Sequence, residues 1–444
     1  MKRVVSVFCA LLLIVGLCGC KAQRSSITIY DASNNLIATV KSSNVSDKEV
    51  KDKSYKSYVQ YVVDEAIQVF ANKNNCNLKD AEKILYSNDF SINTTLDSKV
   101  HSALCAFYEK SDYDNTPIGC SVTDLSGAVR AIFSSDGECA LDKVSPYSAF
   151  KPLSVYAQAV EKGIVNWSTM YEDMPYKQIK DDRGEYTDWP KNASGKYSYE
   201  KTPIVEAVRH SINTVAVFTL KDVGVKNSIN FLTSNFGIDL SNERARLDSA
   251  DEDEVIGNIA MGYLYSGVTT VNMAGYYQIF GNGGTYEKPH SIEKICDSEG
   301  KTVYTYSGTE KRVIKSETAK VMNLMLQEVL QKGGTGAAAY SKKYKIAGKT
   351  GTGEDNGNWF VGVTPELSIA VWHGKGLDKN TAPEMFAEIS LEIPEPRRTD
   401  FPTSAMVRKS LYCVHSGGLY TVKCKNMAIG YYALEDIPSP CKTH

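Results

Sequence analysis

Histidine is scarce in this sequence of 444 residues: there are six, His101, His210, His290, His373, His415 and His444. A mechanism built on several imidazoles is short of material. A basic excess is also missing. The 50 Lys and Arg against 52 Asp and Glu leave a formal net charge of -2, so nothing points to a nucleic-acid surface, which would need a basic excess. Past the first twenty residues, no apolar run is long enough to span a bilayer. Internal repeats and low-complexity tracts are absent as well. IAGKTGTG (346–353) contains a Gly-Lys-Thr, but a phosphate-binding loop needs glycine where Lys343 stands, so that reading fails. The stretch reads instead as a strand whose small residues let something approach the backbone.

What is present begins with an export segment. Lys2 and Arg3 form a basic head, residues 4–15 are apolar, and small residues follow. The Leu-Cys-Gly-Cys at 17–20, before Lys21, resembles a bacterial lipobox, which would make Cys20 the lipidated first residue. A plain cleaved signal and an uncleaved anchor are the alternatives. The expected location is the outer face of the bacterial cytoplasmic membrane, held by acyl chains. Eight cysteines follow Cys20, and export permits disulfides without requiring them. Cys413, Cys424, Cys441 and His444 give C-x10-C-x16-C-x2-H. That pattern could bind zinc, but its gaps are irregular, and a disulfide or free thiols suit it better. No metal and no cofactor is assigned.

The order of elements is strands, then many helices, then strands. ITIYDASNNLIATV (27–40) reads as two strands around Asn-Asn, and 46–86 carries helical periodicity. DFSINTTLDSKVHSALCAFYEK (89–110) reads as a strand running into a helix that Asp97 can cap, and 119–134 as a hairpin turning at Ser126-Gly127. Helices are expected at 150–162, 203–222, 226–236 and 316–331, and strands after Gly348. This suits an α+β fold whose terminal strands share one sheet.

Three short stretches carry chemistry. In SPYSAFKPLSVY (145–156), Ser148 and Lys151 lie three apart and share a helix face. Pro152 cannot sit deep in a helix, so the helix starts close to Ser148. A lysine packed among apolar groups loses its proton more easily and can serve as base to a neighbouring hydroxyl. In RHSINTVAVF (209–218), Ser211 and Asn213 can point into one cleft. Taken singly, each of these two reads as a helix start with a cap. Together, S-x-x-K at 148, S-x-N at 211 and K-T-G at 349 stand in the order that penicillin-binding proteins and class A β-lactamases use.

The chain resembles the transpeptidase domain of penicillin-binding proteins, the class A type above all. INTTLD (92–97), SAFKP (148–152), WPKN (189–192), AVRHSINTVAV (207–217), FGNGGTYEKP (280–289), GGTGAAA (333–339), 347–374 and PSPCKTH (438–444) carry the resemblance. It implies a penicillin-binding/serine β-lactamase-like fold, an antiparallel sheet flanked by helices. It divides the chain into a signal at 1–20, a small region at 21–89, the transpeptidase domain at 90–384 and a cysteine-containing extension at 385–444. It also implies roles. Ser148 is the nucleophile and Lys151 its base, Ser211 relays a proton, and Asn213 positions substrate and Lys151. Lys349 supplies positive potential, and Thr350, Gly351 and Thr352 hold the substrate carboxylate. The backbone N–H groups of Ser148 and Thr352 form the oxyanion hole.

The implied reaction is peptidoglycan D,D-transpeptidation on stem peptides, with β-lactams as inhibitors that acylate Ser148. A D,D-carboxypeptidase uses the same residues, and a non-catalytic scaffold or sensor could inherit the cleft. A β-lactamase is disfavoured, because 214–348 holds no E-x-x-L-N segment. About fifty residues separate 27–38 from 92–97, too few for the glycosyltransferase domain of the class A type. A separate glycosyltransferase is therefore the expected partner. The chain departs from the family at Tyr147 and Ala149, where Gly and Thr are common, and at Gly353 and Glu354. Tyr147 is expected to narrow the cleft mouth.

Overall fold

A computed structural model describes residues 25–113, 115–180, 184–248, 252–353, 357–377 and 379–443. The export segment, Cys20, Glu354 and His444 lie outside them. Among the described residues no helix is long and apolar enough to cross a membrane.

The strands of two five-stranded sheets and a C-terminal hairpin are numbered along the chain. They are β1 (Ile27–Tyr30), β2 (Leu36–Val40), β3 (Phe90–Thr94), β4 (Ile118–Asp124), β5 (Val129–Ser134) and β6 (Ile292–Asp297). Then come β7 (Thr302–Thr305), β8 (Ala347–Thr352), β9 (Asn358–Val363), β10 (Leu367–His373), β11 (Val407–Cys413) and β12 (Met427–Ala433).

The first sheet has the order β7-β6-β3-β1-β2, with β1 and β3 parallel and the other pairs antiparallel. Its strands alternate, burying Ile27, Ile29 and Ile92. The helix Lys56–Asn74 covers that face with Tyr58, Val59, Val62, Val63, Ala66 and Phe70, three to four residues apart. The second sheet, β8-β9-β10-β4-β5, is antiparallel throughout. Every residue of NWFVGV in β9 is buried, because helices cover both faces. Ser98–Lys110 and Ala382–Glu392 pack on one side and Thr270–Tyr277 on the other. Asp97 caps the first of these by accepting from the amides of Lys99 and Val100 at 2.9 and 3.3 Å. Gly127, at φ 86°, turns the β4–β5 hairpin, and Asp124 Oδ1 accepts from the amides of Ser126 and Ala128.

The fold is α+β, as expected, but the terminal strands divide between two sheets. Those at 118–134 join those at 347–373, whereas β1–β3 pair with β6 and β7. Periodicity gives strands without giving partners, and β3 takes its second neighbour from 200 residues downstream. The expected helix at 203–222 is two, Ile204–His210 and Asn213–Val223, broken where Ser211 turns left-handed at φ 59°. The division at 89/90 crosses one shared core, in which Tyr58 and Ile67 meet Ile92 and Val129. The division at 384/385 falls inside Ala382–Glu392, whose Met385, Phe386 and Ile389 are buried.

Candidate active site

Ser148 sits in the 3-10 turn Tyr147–Phe150, which leads into the buried stretch Pro152–Tyr156 and the helix Ala157–Glu161. Pro152 stands at the first position of that stretch, where no N–H is needed. The turn is pinned from two sides. Tyr277 donates its hydroxyl to the Ala149 carbonyl. β8 lies directly against it at Gly351, where a Cβ would fall 2.5 Å from the Pro146 carbonyl and 3.0 Å from the Ala149 amide. The close approach read from IAGKTGTG is therefore, in part, the protein's own serine turn.

Lys151 is fully buried, 0 % exposed. Its Nζ donates to Asn213 Oδ1 at 2.6 Å and to the Ser211 carbonyl at 2.9 Å, and lies 3.4 Å from Ser211 Oγ. Burial, with Lys349 nearby, pushes its pKa well below the usual lysine value. Lys151 and Ser148 are one turn apart on the same face.

Ser211 and Asn213 flank the break between two helices. Asn213 Nδ2 donates to the Lys191 carbonyl at 2.7 Å, and the Asn213 amide donates to Asn192 Oδ1 at 3.0 Å. Asn192 in turn donates to Asp173 Oδ1 at 2.7 Å, as does the Thr214 hydroxyl, and the Ser198 amide reaches Asp173 Oδ2 at 2.9 Å. Burial pushes the Asp173 carboxyl up, but these hydrogen bonds outweigh it and hold the pKa below the usual carboxylate value. Asp173 lies behind the cleft and Asn192 lines only its second hollow, yet together they fix Asn213. Asn192 was visible only as part of WPKN, and no spacing signal pointed to Asp173.

The opposite wall is β8. Thr350 and Thr352 face the cleft, and Thr350 Oγ1 donates to Thr335 Oγ1 at 2.8 Å. Lys349 is fully buried behind them, its Nζ 3.1 Å from the Thr350 carbonyl, and burial lowers its pKa to about 7. Asn380 was not anticipated. Its Nδ2 donates to the Gly351 carbonyl at 2.9 Å and to Thr352 Oγ1 at 3.1 Å, bracing the strand from outside. Ser148, Ser211, Asn213, Thr350, Thr352 and Asn380 line one cleft of about 650 Å³. It continues past Tyr263 into a second hollow along Trp189, Lys191 and Gly353. His210 stands on the rim, 3.2 Å from the Glu206 carboxylate.

Tyr147 does not narrow the mouth. Its backbone is left-handed at φ 48°, and its side chain is buried edge-on against Tyr263, over Gly353. The ring that faces the cleft is Tyr263.

The part of the chain that holds this arrangement of serine, buried amine, second serine and K-T-G strand is similar to known proteins. Residues 101–389 match the family described as the penicillin binding protein transpeptidase domain. Penicillin-binding protein 1F of Bacillus subtilis is 30% identical over 340 residues, covering 72% of this chain and 43% of that protein. Penicillin-binding protein 1A of Clostridium botulinum (strain Hall) is 33% identical over 259 residues, covering 55% of this chain and 30% of that protein. The chain thus spans less than half the length of these curated relatives. Among solved structures, the D,D-transpeptidase domain of a peptidoglycan glycosyltransferase from Eggerthella lenta superposes with a TM-score of 0.61 at 19% identity. That match covers 83% of this chain and 97% of the other. The family match takes in β4, β5, β8–β10 and all three motif stretches, and the chain belongs to the penicillin-binding protein transpeptidase family.

Proposed function

We propose that the cleft performs D,D-transpeptidation on peptidoglycan stem peptides through an ester on Ser148. The observation that carries this reading is the setting of Lys151: fully buried, its pKa pushed well down by that burial, and hydrogen-bonded to Ser211 and Asn213. Ser148 Oγ bonds to the carbonyl carbon of the penultimate D-alanine while its proton passes to Lys151. The C–N bond to the last D-alanine breaks, and the leaving amine takes a proton by way of Ser211. An amine of a second stem peptide then attacks the ester, forms the cross-link and frees the serine. Thr350 and Thr352 bind the terminal carboxylate, with Gly351 keeping their strand close to the serine. The backbone N–H groups of Ser148 and Thr352 hold the oxyanion.

The second hollow past Tyr263 offers the acceptor peptide a path to the ester, which favours transfer over hydrolysis. A lipid on Cys20 would hold the domain at the outer face of the membrane, and a separate glycosyltransferase would supply the glycan strands.

Intact-protein mass after incubation with a penicillin tests the first step. The expected result is a covalent adduct that Ser148→Ala abolishes, and an adduct surviving that substitution would sink the assignment. Supplying the acyl-enzyme with an amine acceptor then separates transfer from a D,D-carboxypeptidase, which would return only the hydrolysed peptide.

A further inference from the structure

The hairpin β11–β12 and the tail behind it gather three thiols from three separate segments. Cys413 ends β11, Cys424 sits in the connecting loop, and Cys441 lies in the returning tail. The tail is sewn in by the backbone bonds Leu419 N–H to Ser439 O at 2.9 Å and Cys441 N–H to Leu419 O at 2.8 Å. The three sulfurs lie within 4.8 Å of one another, and all three residues are buried. They form a cluster of their own, with Tyr420 packed against it. Each is a free thiol.

Three converging sulfurs are one too many for a disulfide and too few for an apolar core. They match another need. Thiolates bound at about 2.3 Å to a tetrahedral zinc ion stand about 3.8 Å apart, the scale of this cluster. The surroundings suit thiolates as well. The Ser416 hydroxyl donates to Cys441 Sγ at 3.1 Å, and the Thr421 amide to Cys424 Sγ at 3.4 Å. Such second-layer donors stabilise sulfur that carries charge. Tight turns present two of the ligands, closed by Gly417 N–H to Cys413 O and by Cys424 N–H to Thr421 O, both 2.9 Å.

We propose that Cys413, Cys424 and Cys441 bind one zinc ion, losing their three thiol protons to solvent. Soft thiolates select zinc over calcium or magnesium. Water completes the tetrahedral coordination. The site is structural. It ties the hairpin together where it docks on the helical region, at Ser168 Oγ–H to Gly417 O (2.6 Å) and Tyr432 O–H to Ser168 Oγ (2.9 Å). Gly417, at φ 74°, has no room there for a Cβ, which would fall 2.2 Å from the Ser168 carbonyl.

The test uses the full chain, produced with zinc in the medium and purified without chelator. Elemental analysis should find about one zinc per chain after dialysis against a weak chelator. Three thiols should resist alkylation until a strong chelator strips the metal. Cys424→Ser should abolish retention, whereas Cys105→Ser, outside the cluster, should keep it. If Cys424→Ser does not fold, cobalt reconstitution of the unaltered chain decides, with thiolate-to-cobalt charge-transfer absorption expected. The proposal is overturned by a zinc-free chain lighter by two hydrogens, which reports a disulfide. It is equally overturned by thiols that alkylate at one rate with and without zinc, or by Cys105→Ser losing the metal.

Discussion

Thr350 and Thr352 face Ser211 and Asn213 across the cleft, and the two walls are held by different means. The strand wall is placed by backbone. Its register against β9 runs from Ala347 opposite Val363 to Thr352 opposite Asn358, and Gly351 lets it press on the serine turn. The helical wall is placed by side chains. Ser211 turns left-handed between two helices, and Asn213 hangs on Lys191 and Asn192 and, through Asn192, on Asp173. A backbone-built wall has few degrees of freedom and fails by steric displacement. A wall built from side-chain hydrogen bonds fails by losing partners, and each loss leaves a buried polar group unsatisfied. Lys151 joins the two, since it bonds to the helical wall while its pKa is lowered by burial and, secondarily, by Lys349 of the strand wall.

Four substitutions probe this contrast. Lys151→Met removes the junction, and penicillin acylation should fall by about 10²–10⁴-fold, the range of a general base. Stopped-flow acylation kinetics read this directly, and a rate within a few-fold of the parent would dismiss Lys151 as base. In the unaltered chain the same assay should slow as pH falls, because protonation removes the lone pair that the reaction uses.

Gly351→Ala strikes the strand wall through backbone alone. The added methyl meets the Pro146 carbonyl and the Ala149 amide, neither of which can swing away, so Ser148 must shift. A displacement near 1 Å costs about 10²-fold in rate. Unchanged kinetics would show that the strand can retreat without moving the serine.

Asp173→Asn strikes the helical wall from behind. It removes the charge that three donors share and puts an N–H₂ where an acceptor is needed. Stability should drop by ~1–3 kcal/mol in urea titration, with a smaller loss of acylation than Gly351→Ala gives. If acylation falls without any loss of stability, Asp173 acts on the chemistry rather than on the wall.

Lys349→Met has the smallest expected effect on the fold, and it appears in pH dependence. In the folded chain Lys349 loses its proton at about 7, whereas unfolding returns it to an ordinary lysine value. Above about 7 the unfolded chain therefore binds a proton that the folded chain lacks, and stability rises with pH. The slope is roughly 1.4 kcal/mol per pH unit for each such lysine. Chemical denaturation at pH 7 and pH 8 should show a shallower rise in the variant. Staying below pH 8.5 avoids buried thiols such as Cys120, whose pKa burial raises and whose contribution has the opposite sign. Equal slopes would mean that Lys349 is charged in the folded state.

The sequence by itself determined the local items. Asp97 as a cap, Ser126-Gly127 as a turn, the strands around Lys349 and a helix opening next to Ser148 all rest on interactions within a few residues. The three motif stretches were legible for the same reason, because S-x-x-K fixes a helix face and K-T-G fixes strand alternation. Only the tertiary structure decided which strands share a sheet and that the helix predicted over 203–222 breaks at Ser211. It alone set Asp173 behind the helical wall, brought Thr335 and Asn380 to the cleft and packed Tyr147 against Gly353 instead of at the mouth. It alone drew Cys413, Cys424 and Cys441 into one cluster. Each of these depends on contacts between residues far apart in the chain. Such contacts are selected by packing and by the need to satisfy buried polar groups, and no local spacing records them.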